Sequence, residues 1–354
     1  MRSIARNIKS MLQTGKPIRL GGKLKKITDY PALLEEAYQQ MIAPRAADAP
    51  TVISTFAGGG GSSAGYHMAG FHELLAVEWD DNAVQTLRLN FPHLDIYHGD
   101  IAELSVAEVL RRTGLQPGEL DVFDGSPPCQ GYSLAGKRDF YDDRNQLFRE
   151  YVRLLRGLQP KVFVMENVSG MVKGKMKLIF ADILRELKES GYKVSARLLN
   201  AMYFNVPQSR ERMIFIGVRE DLGIEPSHPK AESQPVIALA AVAGVSNKTF
   251  NRPLATVATA IWNHVKPGQN GTHYRPGYYM NSLKVDPLRP MPTIPKIIPG
   301  GGGHMHWAEC RSLSIEEAKR GMSFPDQYRL TGKFDSQWER IGNSVPTAIH
   351  AIHS

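Results

Sequence analysis

Cysteine is scarce in this chain, which carries two thiols, Cys129 and Cys310, in 354 residues. Two cysteines cannot form the several disulfides that stabilise small secreted proteins. The sequence also has no Cys-x-x-Cys motif, which excludes a disulfide oxidoreductase of the thioredoxin type. Unpaired thiols are typical of a reducing compartment, so we expect a cytoplasmic protein. Each cysteine is then either a reactive nucleophile or a small structural side chain.

Long apolar runs are also missing. No stretch reaches the ~18 apolar residues that a transmembrane helix requires, and the first residues lack the apolar segment of a signal peptide. We therefore expect no contact with a membrane. With 42% hydrophobic residues, the chain has enough apolar material for one large domain or two modest ones.

Acidic residues are absent from positions 1–26, which carry eight basic ones. These eight account for the whole net charge of +8, so the rest of the chain is formally neutral. We define residues 1–50 as a basic N-terminal arm. It either follows a phosphate backbone, docks on a partner or is a flexible tail, and the last is the simplest interpretation.

Beyond Pro50 the sequence alternates between β-rich apolar runs and helix-compatible stretches. The clearest predicted strands are residues 51–56, 74–77, 120–123, 162–165, 193–199 and 213–218, and the clearest helices are residues 82–90 and 178–190. This alternation predicts a doubly wound, Rossmann-like α/β sheet over residues 51–218. Residues 219–303 are rich in proline and glycine and predict a smaller, loop-rich module. Helix signals return in residues 304–354, which we expect to complete the α/β domain.

Three predicted strands end in residues suited to an adenosine-containing cofactor. The first strand leads into a glycine-rich turn, Phe56-Ala57-Gly58-Gly59-Gly60-Gly61. Glu78 lies at the end of the second strand, where a carboxylate can bind ribose hydroxyls, and Trp79 offers a flat face for adenine. Asp100 follows the third strand and can accept a hydrogen bond from an exocyclic amine. Both NAD and S-adenosylmethionine fit, although Ser63 stands where a dinucleotide fingerprint has its third glycine.

A proline-rich segment, Pro127-Pro128-Cys129-Gln130, follows the predicted strand 120–123. Two successive prolines disfavour a helix and hold the backbone extended, so Cys129 is presented on a rigid loop at the end of a strand. Open α/β sheets bind their ligands at such ends. Taken alone, this segment leaves a reactive thiol and a structural cysteine equally open. Cys310 has no such setting, and we expect it to be a buried structural residue.

Six motifs together resemble the DNA (cytosine-5) methyltransferases over nearly all of residues 51–350. In chain order they are Phe56-x-Gly58-x-Gly60-Gly61, Pro127-Pro128-Cys129-Gln130, Glu166-Asn167-Val168, Gln208-x-Arg210-x-Arg212, Arg311-x-Leu313-Ser314-x-x-Glu317 and Gly342-Asn343-Ser344-Val345-Pro346. The resemblance implies a Rossmann-like, S-adenosylmethionine-dependent catalytic domain with a smaller target-recognition region, residues 219–303. It also implies methylation of a flipped-out cytosine in a specific sequence of double-stranded DNA.

The resemblance assigns the catalytic roles residue by residue. Cys129 matches the nucleophile that adds to carbon 6 of cytosine, and Glu166 matches the residue that binds and protonates N3. Arg210 matches the arginine that orients the base, with Arg212 bracing the site. The cofactor would contact twelve residues: Phe56, Ala57, Gly58, Gly60, Gly61, Glu78, Trp79, Asp100, Ile101, Pro127, Asn343 and Ser344.

The resemblance also implies an oligomeric state and a partner, and two alternative functions have to be weighed against DNA methylation. We expect a monomer that needs no metal and has a cognate restriction endonuclease as its counterpart in the cell. A tRNA cytosine-5 methyltransferase would keep the chemistry, but residues 219–303 lack the Cys-Phe-Thr motif of that branch. A catalytically silent DNA-binding relative is the other alternative. Against it, Cys129, Glu166, Arg210 and the cofactor glycines are all present.

Overall fold

The chain folds around one seven-stranded sheet. The computed structural model describes residues 26–128, 146–172, 176–245, 250–298 and 302–347. The strands up to residue 219 are β1 (Thr51–Thr55), β2 (His72–Glu78), β3 (Ile96–His98), β4 (Val122–Gly125), β5 (Val162–Val168), β6 (Tyr192–Asn200), β7 (Gln208–Ser209) and β8 (Glu211–Arg219). The order in the sheet is β3-β2-β1-β4-β5-β8-β6.

The strand directions make this a doubly wound sheet. The strands from β3 to β5 are parallel, whereas β8 runs antiparallel to both β5 and β6. The chain winds outward from β1 through β2 to β3 and then returns beside β1 as β4, which opens a crevice at the carboxyl ends of β1 and β4. The predicted α/β fold class is confirmed. The sequence did not show that β8 is reversed.

Ten α-helices are found in the described ranges, and those between residues 61 and 189 pack against the sheet. They are α1 (Tyr30–Ile42), α2 (Gly61–Met68), α3 (Asp81–Asn90), α4 (Val106–Thr113), α5 (Gln146–Leu158), α6 (Met176–Glu189), α7 (Ala238–Ala241), α8 (Thr256–His264), α9 (Ile315–Gly321) and α10 (Phe334–Asn343). None of these helices has the length and apolar character that crossing a membrane requires.

Local chemistry determines where several helices begin. The Asp80 side chain accepts a hydrogen bond from the Ala83 N–H at the start of α3. Ser314 and Glu317 form a reciprocal capping box at the start of α9. Each such cap satisfies backbone donors that have no partner within the helix.

The two faces of the sheet bury different clusters because neighbouring side chains on a strand point to opposite sides. On β5, Phe163 and Met165 pack into a large cluster with residues of α5 and α6. Val164, between them, packs on the other face with Tyr66 of α2. The carboxyl ends of the strands are thereby held between two packed layers.

Part of the basic arm belongs to the folded body. Helix α1 begins at the Asp29 cap, and its Tyr30, Leu34 and Met41 are buried in a cluster that also contains residues of α2, α9 and α10. The Tyr30 hydroxyl donates to the Arg320 carbonyl. Residues 30–42 of the predicted arm are therefore a helix that packs on the folded body. The basic residues 1–25 lie outside the described residues.

The described residues of the predicted loop-rich module, residues 219–303, contain little regular secondary structure. Its strands are β9 (Leu283–Lys284) and β10 (Met291–Pro292), which pair with β11 (His304–Met305) and β7 respectively. The pairing of β11 with β9 carries the module past residue 303 into the predicted return segment. A small core of Ile261, Val265 and Met305 lies inside it.

Replacement of a buried side chain in α1 tests whether this helix is part of the body. We expect Leu34→Ala to lower the free energy of unfolding by about 2–5 kcal/mol, because it opens a cavity in a packed core. Glu36→Ala, at an exposed position of the same helix, should change it by less than about 0.5 kcal/mol. Urea denaturation of both variants measures the difference. Equal, small effects would show that α1 is not docked.

Candidate active site

The turn after β1 is shaped by backbone conformation. Phe56, Gly58 and Gly60 have φ angles of 55°, 55° and 81°, which glycine adopts far more easily than other residues. The Ala57 N–H donates to the Val77 carbonyl at 3.1 Å, which ties the turn to the end of β2. The ends of β1 and β2, which carry predicted cofactor residues, therefore lie side by side.

The glycines of this turn have different tasks. A Cβ atom on Gly60 would lie 2.3 Å from the Tyr328 hydroxyl oxygen, and one on Gly61 would lie 2.4 Å from the Val345 carbonyl oxygen. A Cβ atom on Gly58 would have the Phe56 carbonyl oxygen 3.9 Å away as its nearest neighbour. Gly60 and Gly61 thus admit the return segment of the chain, whereas Gly58 leaves space for a ligand to approach the backbone.

Glu78 holds the turn in place. One carboxylate oxygen accepts from the Gly58 N–H at 2.7 Å, and the other accepts from the N–H groups of Trp79 and Asp80 at 2.9 Å each. A carboxylate has about four acceptor sites, so one remains beyond these three bonds. Glu78 is therefore positioned to organise the turn and also to accept one hydroxyl of a ribose.

The other predicted adenosine contacts divide into exposed and buried groups. Trp79 is 78% exposed, which leaves a face of its indole ring free for stacking. Asp100 is exposed, and one of its carboxylate oxygens accepts from the Ala102 N–H at 2.9 Å. Ile101 differs, because its side chain is buried in the core. The Gly99 N–H donates to the Glu78 carbonyl, which places this segment beside Glu78.

The proline segment is attached to the end of β5. The Asn167 side-chain amide donates to the Pro127 carbonyl at 3.2 Å, and its oxygen accepts from the Val168 N–H at 2.8 Å. Pro127 is buried and Pro128 is exposed. Asn167 is therefore a site residue to which the sequence assigned no role, although it lies within a quoted motif. Cys129 itself lies outside the described residues.

Glu166 and Arg212 form an ion pair at the carboxyl end of β5. The guanidinium Nε lies 2.6 Å from a Glu166 carboxylate oxygen, and the two side chains are only 14% and 11% exposed. Antiparallel pairing places Arg212 opposite Val168, close to the end of β5. Burial raises the pKa of the Glu166 carboxyl above its ordinary value, since the charges of Arg212 and Arg210 offset the desolvation only in part.

Arg210, which was predicted to orient the base, has backbone carbonyls as its hydrogen-bond partners. Its guanidinium donates to the carbonyls of Ile294, Gly342 and Ser344 at 3.1, 2.8 and 3.1 Å, and the residue is 1% exposed. Burial lowers its pKa to about 9, so it remains charged at neutral pH. Because three backbone carbonyls surround this group, Arg210 joins the sheet to two distant segments.

The return segment reaches the glycine turn through α10. Ser344 is buried, and its hydroxyl donates to the Arg340 carbonyl at 2.6 Å, whereas Asn343 is exposed. Arg340 also forms an ion pair with Asp80 at 3.0 Å, next to Trp79. The sequence contained no signal for this pair, because its members are far apart in the chain.

The second cysteine lies at the surface, and the described residues offer no metal site. Cys310 is exposed and unpaired, so the expectation that it is buried was wrong. It lies in a tight turn, which the His306 N–H closes by donating to the Arg311 carbonyl. In the described ranges, no group of three or more His, Cys, Asp or Glu side chains is arranged to hold a metal ion.

Comparisons with known proteins agree with this geometry. The family model for C-5 cytosine-specific DNA methylases matches residues 50–352. The Type II methyltransferase M1.HphI of Haemophilus parahaemolyticus is 34% identical over 325 residues, which cover 84% of each chain. The Type II methyltransferase M.DdeI of Desulfomicrobium norvegicum is 31% identical over 366 residues, covering 84% of this chain and 86% of its own length.

Solved structures show that the fold is shared. A prophage-encoded E. coli protein described as a DNA modification methyltransferase aligns with a TM-score of 0.71 at 23% identity, over 86% of this chain and 97% of its own. A Spodoptera frugiperda DNMT2 variant aligns with a TM-score of 0.63 at 18% identity, over 86% of this chain and 98% of its own. By its family match and its relatives, this chain belongs to the C-5 cytosine-specific DNA methylases, and it methylates cytosine in DNA.

Proposed function

We propose that this chain transfers a methyl group from S-adenosylmethionine to carbon 5 of a flipped-out cytosine in a specific duplex sequence, through a covalent adduct with Cys129. The observation that carries the proposal is that the segment following β4 is hydrogen-bonded to the end of β5. Asn167 holds the Pro127 carbonyl beside Glu166, whose carboxylate is paired with Arg212. The segment that leads to Cys129 and the acid at the end of β5 are thus attached to each other through described residues.

The chemistry explains why these groups belong together. Carbon 5 of cytosine is a weak nucleophile, so the Cys129 thiolate first forms a bond to carbon 6, which drives electron density toward carbon 5. When bound, S-adenosylmethionine supplies an electrophilic methyl group. After carbon 5 has taken the methyl group, water accepts its proton, the 5,6 double bond re-forms as the bond from carbon 6 to sulfur breaks, and N3 returns its proton to the Glu166 carboxylate.

Glu166 supports this sequence by moving a proton at N3 of the base. Negative charge builds up on the ring as the thiolate adds, and a proton held at N3 offsets it. The raised pKa of the buried carboxyl favours its protonated form, while Arg212 keeps the carboxylate accessible when the proton is given up. The pair is thus tuned to exchange a proton.

The geometry favours exchanging the roles expected for the two arginines. Arg212 lies on β8 opposite Val168, the last residue of β5, and contacts Glu166, so we assign it the contact with the base. Arg210 is committed to three backbone carbonyls, so we assign it the bracing role.

The residues around the glycine turn fit an adenosine-containing cofactor. Trp79 would stack on the adenine, Glu78 would accept a ribose hydroxyl with its remaining acceptor site, and the backbone at Gly58 has open space beside it. Asp100 would accept from the exocyclic amine. Pro127 and Asn343 would complete the contacts from the proline loop and the return segment.

Recognition of the DNA sequence is assigned to residues 219–303. The support is an exposed loop, residues 272–281, that carries Tyr274, Tyr278 and Met280. Arg275 lies over the Tyr278 ring, with its guanidinium carbon 4.0 Å from the ring centre. Paired backbone at Asn270 and Leu283 closes the base of this loop. Planar cations and aromatic rings are suited to base edges and phosphates.

The cellular setting follows from the relatives. Those we compared are bacterial Type II methyltransferases, which supports a cytoplasmic enzyme with a cognate restriction endonuclease, and we expect it to act as a monomer. The tRNA alternative and the silent DNA-binding alternative are not favoured, since the matching family and relatives are DNA methylases.

Methyl transfer from labelled S-adenosylmethionine tests the function. We expect label at carbon 5 of cytosine in one sequence context of unmethylated duplex DNA, and none in tRNA. Cys129→Ser should abolish turnover and retain cofactor binding, because it removes the nucleophile alone. Cys310→Ser is the matched control and should stay active, since that thiol is exposed and has no assigned role in the chemistry. Label confined to tRNA, or turnover by Cys129→Ser, would contradict the proposal.

The two arginines should respond differently to truncation. Arg212→Ala should lower kcat by about 10²–10³-fold, because it removes a preorganised donor from the site, with a small change in melting temperature. Arg210→Ala should lower the free energy of unfolding by about 3–5 kcal/mol, because it leaves buried carbonyls without a partner. Single-turnover kinetics and thermal denaturation separate the effects. If Arg210→Ala melts like the native protein but is inactive, our assignment is wrong.

Trp79 should contribute binding energy without contributing stability. Because stacking on a base is worth about 1–3 kcal/mol, Trp79→Ala should weaken S-adenosylmethionine binding by about 10–100-fold. The melting temperature should not change, since the side chain is 78% exposed. Trp79→Phe should restore most of the affinity. Calorimetric titration measures both variants, and native affinity in Trp79→Ala would remove Trp79 from the cofactor site.

A further inference from the structure

An ion pair with no part in the proposed chemistry joins the start of α3 to α10, beside the proposed adenosine contacts. A guanidinium nitrogen of Arg340 lies 3.0 Å from a carboxylate oxygen of Asp80. The side chain of Arg340 is 9% exposed and that of Asp80 is 38% exposed, so the pair is partly shielded from solvent. Salt screens a pair shielded in this way less than one in open solvent.

Asp80 fixes the backbone next to Trp79. Its Oδ1 atom accepts from the Ala83 N–H at 2.8 Å, which makes Asp80 the N-cap of α3. Its own N–H donates to the Glu78 carboxylate at 2.9 Å, as the Trp79 N–H does. Trp79 therefore stands between two anchored residues. Because its side chain is 78% exposed, packing does not hold the indole ring, and the direction of the ring depends on this backbone.

Arg340 belongs to the segment that covers the glycine turn. A Cβ atom on Gly59 would lie 3.1 Å from the Arg340 Cβ atom, so α10 passes directly against the turn. The Arg340 carbonyl accepts from the Ser344 N–H at 3.1 Å and from the Ser344 hydroxyl at 2.6 Å. Arg340 thus binds Asp80 through its side chain and Ser344, a predicted cofactor contact, through its backbone.

Asp80 is the main partner of the Arg340 guanidinium. The carboxylate of Glu339, on the same helix, lies 3.5 Å from this guanidinium, and the Glu339 side chain is 42% exposed. The Nε atom of Arg340 is buried and has no hydrogen-bond partner in the described ranges. A buried cation depends on the partners that remain, so loss of the Asp80 charge would leave this guanidinium poorly compensated.

We infer that the ion pair of Arg340 with Asp80 positions Trp79 for cofactor binding, so that the return segment of the chain determines the affinity for S-adenosylmethionine. Arg340 is a positioning residue, because it acts through Asp80 and the backbone of Trp79 and does not touch the reacting atoms. The inference rests on the proposed role of Trp79 in the cofactor site.

Calorimetric titration of the full chain with S-adenosylmethionine tests the inference. Asp80→Asn suits the purpose, because asparagine caps a helix as well as aspartate does and the change removes the charge alone. We expect it to weaken binding by about 3–10-fold, since it breaks a partly buried pair, and to leave kcat at saturating cofactor unchanged. Arg340→Lys keeps a cation near Asp80 and should weaken binding less than Arg340→Gln.

Asp335→Asn is the matched control. It removes the same charge from α10, where Asp335 pairs with Arg252 instead of with a residue beside the turn, and it should keep the native affinity. The decisive background is Trp79→Ala. If the pair acts through Trp79, adding Asp80→Asn to Trp79→Ala should cause no further loss of affinity. A further 3–10-fold loss in that background would overturn the inference.

Failure of the inference and failure of the proposed cofactor site give different results. If Trp79→Ala weakens binding while Asp80→Asn keeps the native affinity, the positioning role alone is rejected. If both variants keep the native affinity, the cofactor role of Trp79 is rejected as well. Thermal denaturation checks that each variant is folded. Should Asp80→Asn not fold, Arg340→Lys in the native and Trp79→Ala backgrounds provides the same comparison.

Discussion

The guanidinium of Arg210 is the contact on which the arrangement of the site depends. Arg210 lies directly before β8 in the chain. Its guanidinium donates to the carbonyls of Ile294, Gly342 and Ser344, which belong to segments 84 to 134 residues away. Through these bonds the loop-rich module and the return segment are held against one strand end. The return segment then covers the glycine turn, where Gly60 and Gly61 provide the room. A charged group surrounded by carbonyls cannot be replaced by an apolar one without leaving those acceptors unpaired.

Two buried acids, Glu166 and Asp124, have different surroundings. Glu166 has a cationic partner and some access to solvent, so it is able to exchange a proton with a base entering the site. Asp124 is buried in the middle of the sheet and accepts a hydrogen bond from the Tyr66 hydroxyl. Both carboxyls have raised pKa values from the same cause, desolvation.

The sequence predicted the sheet, the glycine turn and the family, but several of its details were wrong or incomplete. The strands near residues 193–199 and 213–218 were found, because apolar β-rich runs are local signals. Helix α1 was missed inside the basic arm, since its buried residues, Tyr30, Leu34 and Met41, pack against distant elements. Cys310 was expected to be buried because cysteine usually is, whereas its tight turn exposes it. The roles expected for Arg210 and Arg212 stay predictions, because residue type does not show that Arg212 pairs with Glu166 while Arg210 binds backbone carbonyls.

The sequence by itself determined the chemistry available to this protein. The motif order predicts the nucleophile, the acid and the cofactor turn, because each reaction step demands particular residue types at the ends of successive strands. Only the tertiary structure decided how those residues are used. It paired Glu166 with Arg212, bonded Arg210 to backbone carbonyls, and brought the Tyr66 hydroxyl into hydrogen-bond contact with Asp124. These outcomes depend on burial and on partners far away in the chain, and burial is a property of the packed fold rather than of any local stretch of sequence.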